Sequence, residues 1–132
     1  FGDPETEVVL PLLESDAYDV FYGIATGQLS TVNCQLSWRN EATIGVVLAS
    51  KGYPGDYAKG AVIEGTEQFD GPIFHMGTKN DNGVLKTNGG RVMMCIATGK
   101  DIATAREKVY KEIEKIHCDN LFYRKDIAHW AL

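Results

Sequence analysis

Apolar residues near the start of the chain follow helical spacing. Asp3 followed by Pro4 predicts a helix start, with the carboxylate as N-cap and proline at the first helical position. Pro11 lacks a backbone donor, so it should kink or end this helix nearby. The apolar face of the predicted helix consists of Val8, Val9, Leu12 and Leu13.

The same spacing predicts a second helix directly afterwards. Ser15-Asp16 provides a side-chain cap for its start, and Gly27 is a suitable terminator because glycine readily adopts the left-handed conformation. Its inward side is predicted to hold Val20, Phe21 and Ile24.

Beyond Gly27, β-branched and aromatic residues occur in short runs separated by turn sequences, which is typical of strands. The clearest run covers residues 41–50 and ends at the turn-rich sequence KGYPGDYAKG. Asn82-Gly83 predicts a tight hairpin turn, and Asn88-Gly89-Gly90 predicts a second turn. Further strands are expected at AVIEG, PIFHMGTK, Val84–Thr87 and 91–98.

A long helix capped by Asp101 comes next, and one of its faces should pack on the sheet. That face carries Ile102, Ala105, Val109, Ile113 and Ile116. The tail LFYRKDIAHWAL is expected to form one more short strand or an ordered extension. This order of elements predicts an α+β fold, with helices followed by a small, mostly antiparallel sheet that a helix covers.

Composition narrows the class of protein. Of 132 residues, 44% are apolar and 23% are charged, which are globular values. The net charge of −5, without a basic run, disfavours nucleic acid or a membrane as partner. Cys34, Cys95 and Cys118 are odd in number and far apart, so we interpret them as reduced thiols of a cytoplasmic protein.

Two loops are candidate binding sites. In FGDPET, Asp3 and Glu5 flank a helix start and could hold an amine, a hydroxyl or a metal-bound group, or simply cap the helix. In TNGGRV, Asn88, Gly89 and Gly90 form a turn that exposes backbone donors, and Arg91 adds a cationic fork. This pattern suits a phosphate or carboxylate, although an ordinary hairpin turn with an exposed arginine fits as well.

Other candidate motifs lack residues that their chemistry requires. Gly55 and Gly60 have phosphate-loop spacing, but Ala61 and Val62 stand where lysine and serine or threonine are required. No serine or cysteine is obviously paired with a histidine, so a nucleophilic triad is unsupported. We therefore assign no catalytic residue and no metal ligand to this chain.

Five segments carry a resemblance to a known family. In this order, FGDPETEVVLPLL, VVLASKGYPGDYAKG, FHMGTK, TNGGRV and FYRKDI are similar to segments of the phosphoribosylamine–glycine ligases, also called glycinamide ribonucleotide synthetases. The similarity covers essentially the whole chain. The stretch GTEQFDGPIF is short relative to the family pattern, and Glu7 stands where glutamine is common.

The resemblance implies an ATP-grasp enzyme and a division of this chain into two parts. Residues 1–30 would be the C-terminal edge of the ATP-grasp domain. Residues 31–132 would be a substrate-capping domain related to the C-terminal domain of biotin carboxylase. In the family, FGDPET follows a strand with a Glu-x-Asn magnesium site, so this chain is expected to be the C-terminal portion of a longer polypeptide and inactive alone.

The implied reaction converts ATP, glycine and 5-phosphoribosylamine into ADP, phosphate and glycinamide ribonucleotide, a step of purine synthesis. ATP and Mg²⁺ or Mn²⁺ would be bound mainly by residues outside this chain. The implied substrate-binding residues are Asp3, Glu5, Asn88, Gly89, Gly90 and Arg91. Two other readings remain open: a non-catalytic cap domain of a carboxylase-type ATP-grasp enzyme, and a stand-alone binding module.

Overall fold

The computed structural model describes residues 2–28 and 36–132, and these ranges form helices and strands in an α+β arrangement. The helices are α1 (Glu5–Val9), α2 (Ala17–Thr26) and α3 (Ile102–Ile113), with 3-10 turns at Leu10–Leu12, Thr66–Gln68 and His129–Ala131. The strands are β1 (Ala42–Ser50), β2 (Ile73–His75), β3 (Thr78–Asp81), β4 (Val84–Thr87), β5 (Arg91–Gly99) and β6 (Leu121–Phe122). This confirms the predicted fold class.

The start of α1 differs from the prediction. Pro4, not Asp3, is the N-cap residue, and no side chain caps the helix. The prediction that Asp3 caps the helix is wrong because Asp3 lies one residue too early and its carboxylate pairs with Arg91 instead. The effect expected of Pro11 is confirmed, since α1 ends at Val9 and the chain continues as a 3-10 turn.

The limits of α2 are as predicted, but its orientation is not. The Asp16 carboxylate accepts hydrogen bonds from the Tyr18 and Asp19 amides, and Gly27 ends the helix with φ of 69°. Val20 is buried as expected. Phe21 and Ile24, predicted to point inward, are 53% and 55% exposed. The described residues therefore cover one side of α2 and leave its other sides open.

The strands form two separate sheets. The larger is antiparallel, with the order β2-β5-β1-β6, and the register of its central pair runs from Ala42 opposite Gly99 to Ala49 opposite Arg91. The smaller consists of β3 and β4, joined by the predicted Asn82-Gly83 turn. PIFHMGTK thus splits into two strands of different sheets, and AVIEG contributes only isolated bridges instead of the expected strand.

The turn at residues 88–90 connects these two sheets. β4 pairs with β3, whereas β5 pairs with β1 and β2, so this turn does not close a hairpin. The alternative of an ordinary hairpin turn is therefore wrong. The turn instead places the start of β5 beside the end of β1, where Ser50 donates its amide to the Gly90 carbonyl at 2.7 Å.

The hydrophobic core lies between the larger sheet and α3. Asp101 caps α3 through the Thr104 amide at 2.8 Å, as predicted. The predicted inward face of the helix is confirmed, since Ala105, Val109 and Ile113 are at most 2% exposed. They belong to one core cluster with residues of the strands, among them Ile44, Val46, Leu48, Val92, Met93 and Cys95. The second face of this sheet is left for the N-terminal segment.

Two of the three cysteines lie in described residues, and both are free thiols. Burial raises the pKa of Cys95 to about 12, so this thiol stays protonated and unreactive in the folded protein. Thiol titration of the denatured chain without reductant should count all three cysteines, including Cys34, which lies outside the described residues. A count of one would mean that a disulfide exists and would contradict this.

The structure does not test the predicted domain boundary. The predicted domain boundary between residues 30 and 31 falls within 29–35, which are not described, and stays a prediction. In the described part of the chain, no helix combines the length and the apolar character that crossing a membrane requires.

Candidate functional site

The two candidate loops lie next to each other, although they are 88 residues apart in sequence. Arg91 Nη1 donates a hydrogen bond to the Asp3 carbonyl oxygen at 2.9 Å. The same nitrogen lies 3.4 Å from Asp3 Oδ1, which is a loose ion pair between partly exposed groups. FGDPET and TNGGRV therefore form one site at the junction of the N-terminal segment and the sheet.

A glycine in β1 allows this junction to form. α1 packs on the face of the sheet opposite α3, and its Val8 side chain lies over Gly45. A Cβ atom at position 45 would lie 2.7 Å from Val8 Cγ1 and would also collide with the Met94 side chain. The missing side chain lets α1 approach the sheet and brings the preceding Asp3 to the start of β5.

The turn beside Arg91 is fixed by backbone contacts. The Asn88 amide donates to the Gly77 carbonyl at 2.8 Å. Ser50, which is fully buried, donates its hydroxyl to the Gly89 carbonyl at 2.8 Å. The carbonyls of the turn are thus held from one side. The Gly89 and Gly90 amides donate no hydrogen bond to any residue in the ranges 2–28 and 36–132.

Neighbouring glycines and aromatic rings determine the shape of this turn. Gly77 approaches it so closely that a Cβ there would lie 2.8 Å from Gly89 Cα. On the other side, Tyr53 and Tyr57 pack against Gly90, and a side chain at position 90 would collide with Tyr53. Tyr53 belongs to the SKGYPG sequence, so that loop forms a wall of the site.

The predicted site residues differ in whether they take part in the Asp3–Arg91 contact. Asp3, Gly89, Gly90 and Arg91 come together as described above. The Glu5 side chain turns back toward Gly2, with its Oε2 atom 3.3 Å from the place of a Cβ on that glycine. Asn88 is exposed and contributes its backbone amide to the turn. These two residues lie beside the Asp3–Arg91 contact, not in it.

Glu7 is a site residue that the sequence reasoning missed. Its Oε2 atom is buried and has no hydrogen-bond partner among the described residues. Burial raises the pKa of the Glu7 carboxyl group, the negative charge of Asp3 raises it further, and Arg91 opposes both. Glu7 lies four residues after Asp3, and this closeness in the sequence was the available signal.

This carboxyl group should make stability depend on pH. Because folding raises the pKa of Glu7, the folded protein binds this proton more tightly than the unfolded chain does. The resulting stabilisation is complete below the unfolded pKa and is lost as the pH rises through the folded pKa. Glu7→Gln should therefore increase the free energy of unfolding at neutral pH and flatten its decline with pH.

Denaturant titrations at mildly acidic and neutral pH would measure this effect. Glu5→Gln, on the exposed side of the same helix, is the matched control. If the free energy of unfolding depended on pH identically in the wild type and in Glu7→Gln, burial of the Glu7 carboxyl group would not destabilise the folded protein at neutral pH.

The site does not fit a metal ion by itself. Within residues 2–28 and 36–132, no three His, Cys, Asp or Glu side chains are close enough together to hold one. Magnesium usually takes one or two carboxylates plus water and substrate phosphates. Here the Asp3 carboxylate already faces the Arg91 cation. We therefore derive no chemical step through a metal bound by this chain alone.

The fold and the candidate site define a class: an α+β domain joined to a short helical segment, with a glycine-rich turn and Arg91 at their junction. Comparison with known proteins identifies the class more closely. The family described as "Phosphoribosylglycinamide synthetase, C domain" matches residues 43–130. The chain belongs to this family.

Relatives agree with this assignment. A phosphoribosylamine–glycine ligase of Halalkalibacterium halodurans is 47% identical over 134 aligned residues, which cover 100% of this chain and 30% of that protein. A bifunctional purine biosynthetic protein of Schizosaccharomyces pombe is 41% identical, with 100% of this chain and 17% of that protein covered.

A solved structure has a similar fold. The phosphoribosylamine–glycine ligase of Thermotoga maritima has a TM-score of 0.78 and 38% identity, covering 97% of this chain and 31% of that one. These matches confirm the resemblance inferred from the five segments. The chain spans less than a third of the length of these relatives.

Proposed function

We propose that this chain is the C-terminal part of a phosphoribosylamine–glycine ligase and completes its substrate pocket. The full enzyme would join glycine to 5-phosphoribosylamine, with ATP converted to ADP and phosphate. The observation that carries the proposal is the contact between Asp3 and Arg91, because it unites the two candidate loops within a chain of this family.

The site suits a ligand that carries an amine at one end and a phosphate at the other. Arg91 offers a planar donor fork, and its Nη1 atom alone is used by Asp3. The Gly89 and Gly90 amides lie next to it and can donate to anionic oxygens. We therefore assign the 5-phosphate of phosphoribosylamine to Arg91 and this turn.

The acidic residues determine which way round the ligand lies. Asp3 and the nearby Glu5 and Glu7 would repel a phosphate but attract an amine or hydroxyl group. The phosphate should therefore lie toward the glycines of the turn, with the amine or the ribose toward Asp3. The Asp3–Arg91 ion pair opposes this only weakly, since a partly exposed pair contributes about 0–1 kcal/mol.

The remaining chemistry is assigned to the rest of the polypeptide. ATP would phosphorylate the carboxylate of glycine, and the amine of phosphoribosylamine would attack the acyl phosphate. Mg²⁺ or Mn²⁺ would stabilise the negative charge on the phosphates, held mainly by residues outside this chain. The chain would contribute substrate positioning, and the enzyme would work in the cytoplasm.

An activity assay on two proteins tests this assignment. The full-length polypeptide should release ADP only when both glycine and 5-phosphoribosylamine are present. The isolated 132-residue chain should show no ligase or ATPase activity, because no phosphate loop occurs in its sequence. ATP turnover by the repurified chain would contradict the prediction that catalysis requires the rest of the polypeptide.

The assay and the length of the gene separate the two alternatives. A carboxylase-type enzyme would turn over ATP with bicarbonate in place of glycine. A stand-alone binding module would have no catalytic polypeptide upstream of it in the gene. The family match and the length of the relatives favour the ligase over both.

A further inference from the structure

A buried hydroxyl group contacts the glycine turn of the candidate site. Ser50, the last residue of β1, is fully buried, although serine is mostly found at protein surfaces. Its hydroxyl donates to the Gly89 carbonyl at 2.8 Å, and its amide donates to the Gly90 carbonyl at 2.7 Å. A single residue therefore holds two successive peptide groups of the turn that leads into Arg91.

An irregularity in the sheet brings Ser50 to this position. The pairing of β1 with β5 is regular up to Leu48, and continuing it would place Ser50 opposite Arg91. Instead, Ala49 lies opposite Arg91, which is one residue closer to the start of β5 than the regular pairing gives. Ser50 therefore meets Gly90. Bulges of this kind re-aim side chains and are frequent next to functional sites.

Peptide geometry lets the Ser50 hydroxyl determine where the Gly90 amide points. The bond between Gly89 and Gly90 is trans. In a planar trans peptide group, the carbonyl and the N–H point in opposite directions. Because Ser50 holds the Gly89 carbonyl, the Gly90 N–H is directed away from Ser50. Glycine has no side chain to restrict its backbone, so the peptide group would be free to turn without this hydrogen bond.

The Gly90 amide has no partner of its own within the described ranges. Gly90 is buried, yet its N–H donates to no acceptor among residues 2–28 and 36–132. Buried backbone N–H groups nearly always have a partner, and an unpaired one is costly. A role of Ser50 in folding alone accounts for the bound carbonyl but not for this donor. An acceptor on a ligand, such as a phosphate oxygen, accounts for both.

We propose that Ser50 is a positioning residue of the phosphate site: its hydroxyl holds the Gly89 carbonyl so that the Gly90 amide faces the phosphate beside Arg91. The inference rests on the proposed function, since the 5-phosphate of phosphoribosylamine is the acceptor. It adds that a residue without any substrate contact orients the turn before the ligand arrives. Binding then requires no reordering of the two glycines, which lowers its entropic cost.

Matched variants of the full-length enzyme test this role. Threonine and valine have nearly the same shape and differ in the hydroxyl group. Ser50→Thr should therefore keep the KM for 5-phosphoribosylamine near the wild-type value, whereas Ser50→Val should raise it about two- to tenfold, which corresponds to one hydrogen bond. The KM values for ATP and glycine should stay unchanged in both. Equal KM values for 5-phosphoribosylamine in the two variants would overturn the proposal.

A core variant controls for a loss of stability alone. Ile113→Val removes one methylene group from the buried face of α3 and should lower the melting temperature without changing the KM for 5-phosphoribosylamine. If the extra methyl group prevents Ser50→Thr and Ser50→Val from folding, Ser50→Ala decides. It should show the rise in KM expected of Ser50→Val, and a KM equal to that of Ile113→Val would overturn the proposal.

Arg91→Ala separates this proposal from the proposed function. If Arg91→Ala raises the KM for 5-phosphoribosylamine and Ser50→Val does not, the phosphate binds beside Arg91 but Ser50 does not position the turn. If neither variant raises it, the phosphate does not bind at this turn, and the proposed site and the role of Ser50 are both wrong.

Discussion

Replacing Arg91 by alanine in the full-length enzyme is expected to raise the KM for 5-phosphoribosylamine strongly and leave the KM for ATP nearly unchanged. A lost charge-assisted phosphate contact should cost roughly 1.5–3 kcal/mol, or on the order of 10- to 150-fold in apparent affinity. A surface arginine with one exposed ion pair would contribute only about 0–1 kcal/mol. The size of the effect therefore separates the two roles of Arg91.

Two further variants make this prediction more specific. Arg91→Lys should recover part of the loss, because lysine keeps the charge but lacks the planar fork. Asp3→Asn removes the carboxylate that pairs with Arg91 and should affect the amine end of the substrate, not its phosphate. Normal folding of each variant is checked by circular dichroism. Unaltered phosphoribosylamine kinetics in a folded Arg91→Ala protein would mean that Arg91 has no role in binding.

Gly77→Ala is expected to damage both stability and substrate binding, although residue 77 contacts no substrate in the proposed site. The new methyl group would lie 2.5 Å from the Arg91 carbonyl oxygen and 2.8 Å from Gly89 Cα. Both are backbone atoms, so the turn must move. Overpacking of this kind typically costs about 1–3 kcal/mol.

Thermal unfolding and the KM for 5-phosphoribosylamine measure these two consequences. Lys79→Ala, an exposed position two residues further along, should change neither quantity because surface substitutions are usually neutral. A Gly77→Ala protein with wild-type stability and KM would show that the close approach of Gly77 to Gly89 does not position the turn.

Much of the fold follows from local sequence signals. The caps at Asp16 and Asp101, the Asn82-Gly83 turn and the inward face of α3 were all predictable, because each depends on a few neighbouring residues. The pairing of the strands was not. Residues 88–90 have the composition of a hairpin turn, yet the strand that follows them pairs with β1, some forty residues earlier in the sequence.

The candidate site was predictable in its residue types but not in its assembly. Glycines next to an arginine, and carboxylates at a helix start, indicate binding chemistry in each loop separately. Their meeting depends on Gly45, whose missing side chain lets α1 lie on the sheet. Asp3 was expected to cap α1 and instead faces Arg91, since a long-range cation competes with a local backbone donor for the same carboxylate.

The prediction that Phe21 and Ile24 point inward was wrong for a related reason, since both are exposed among the described residues. Helical periodicity indicates which residues share a side, but it does not reveal which side the chain itself covers. In α2 both sides are apolar, so the pattern alone could not choose between them.

A crystal structure of the full-length enzyme with glycinamide ribonucleotide bound would test the role of Arg91 most directly. We expect the 5-phosphate within hydrogen-bond distance of the Arg91 guanidinium and of the Gly89 or Gly90 amide, with Asp3 on the amine or ribose side. A phosphate bound elsewhere, with Arg91 still paired only to Asp3 and open to solvent, would contradict it.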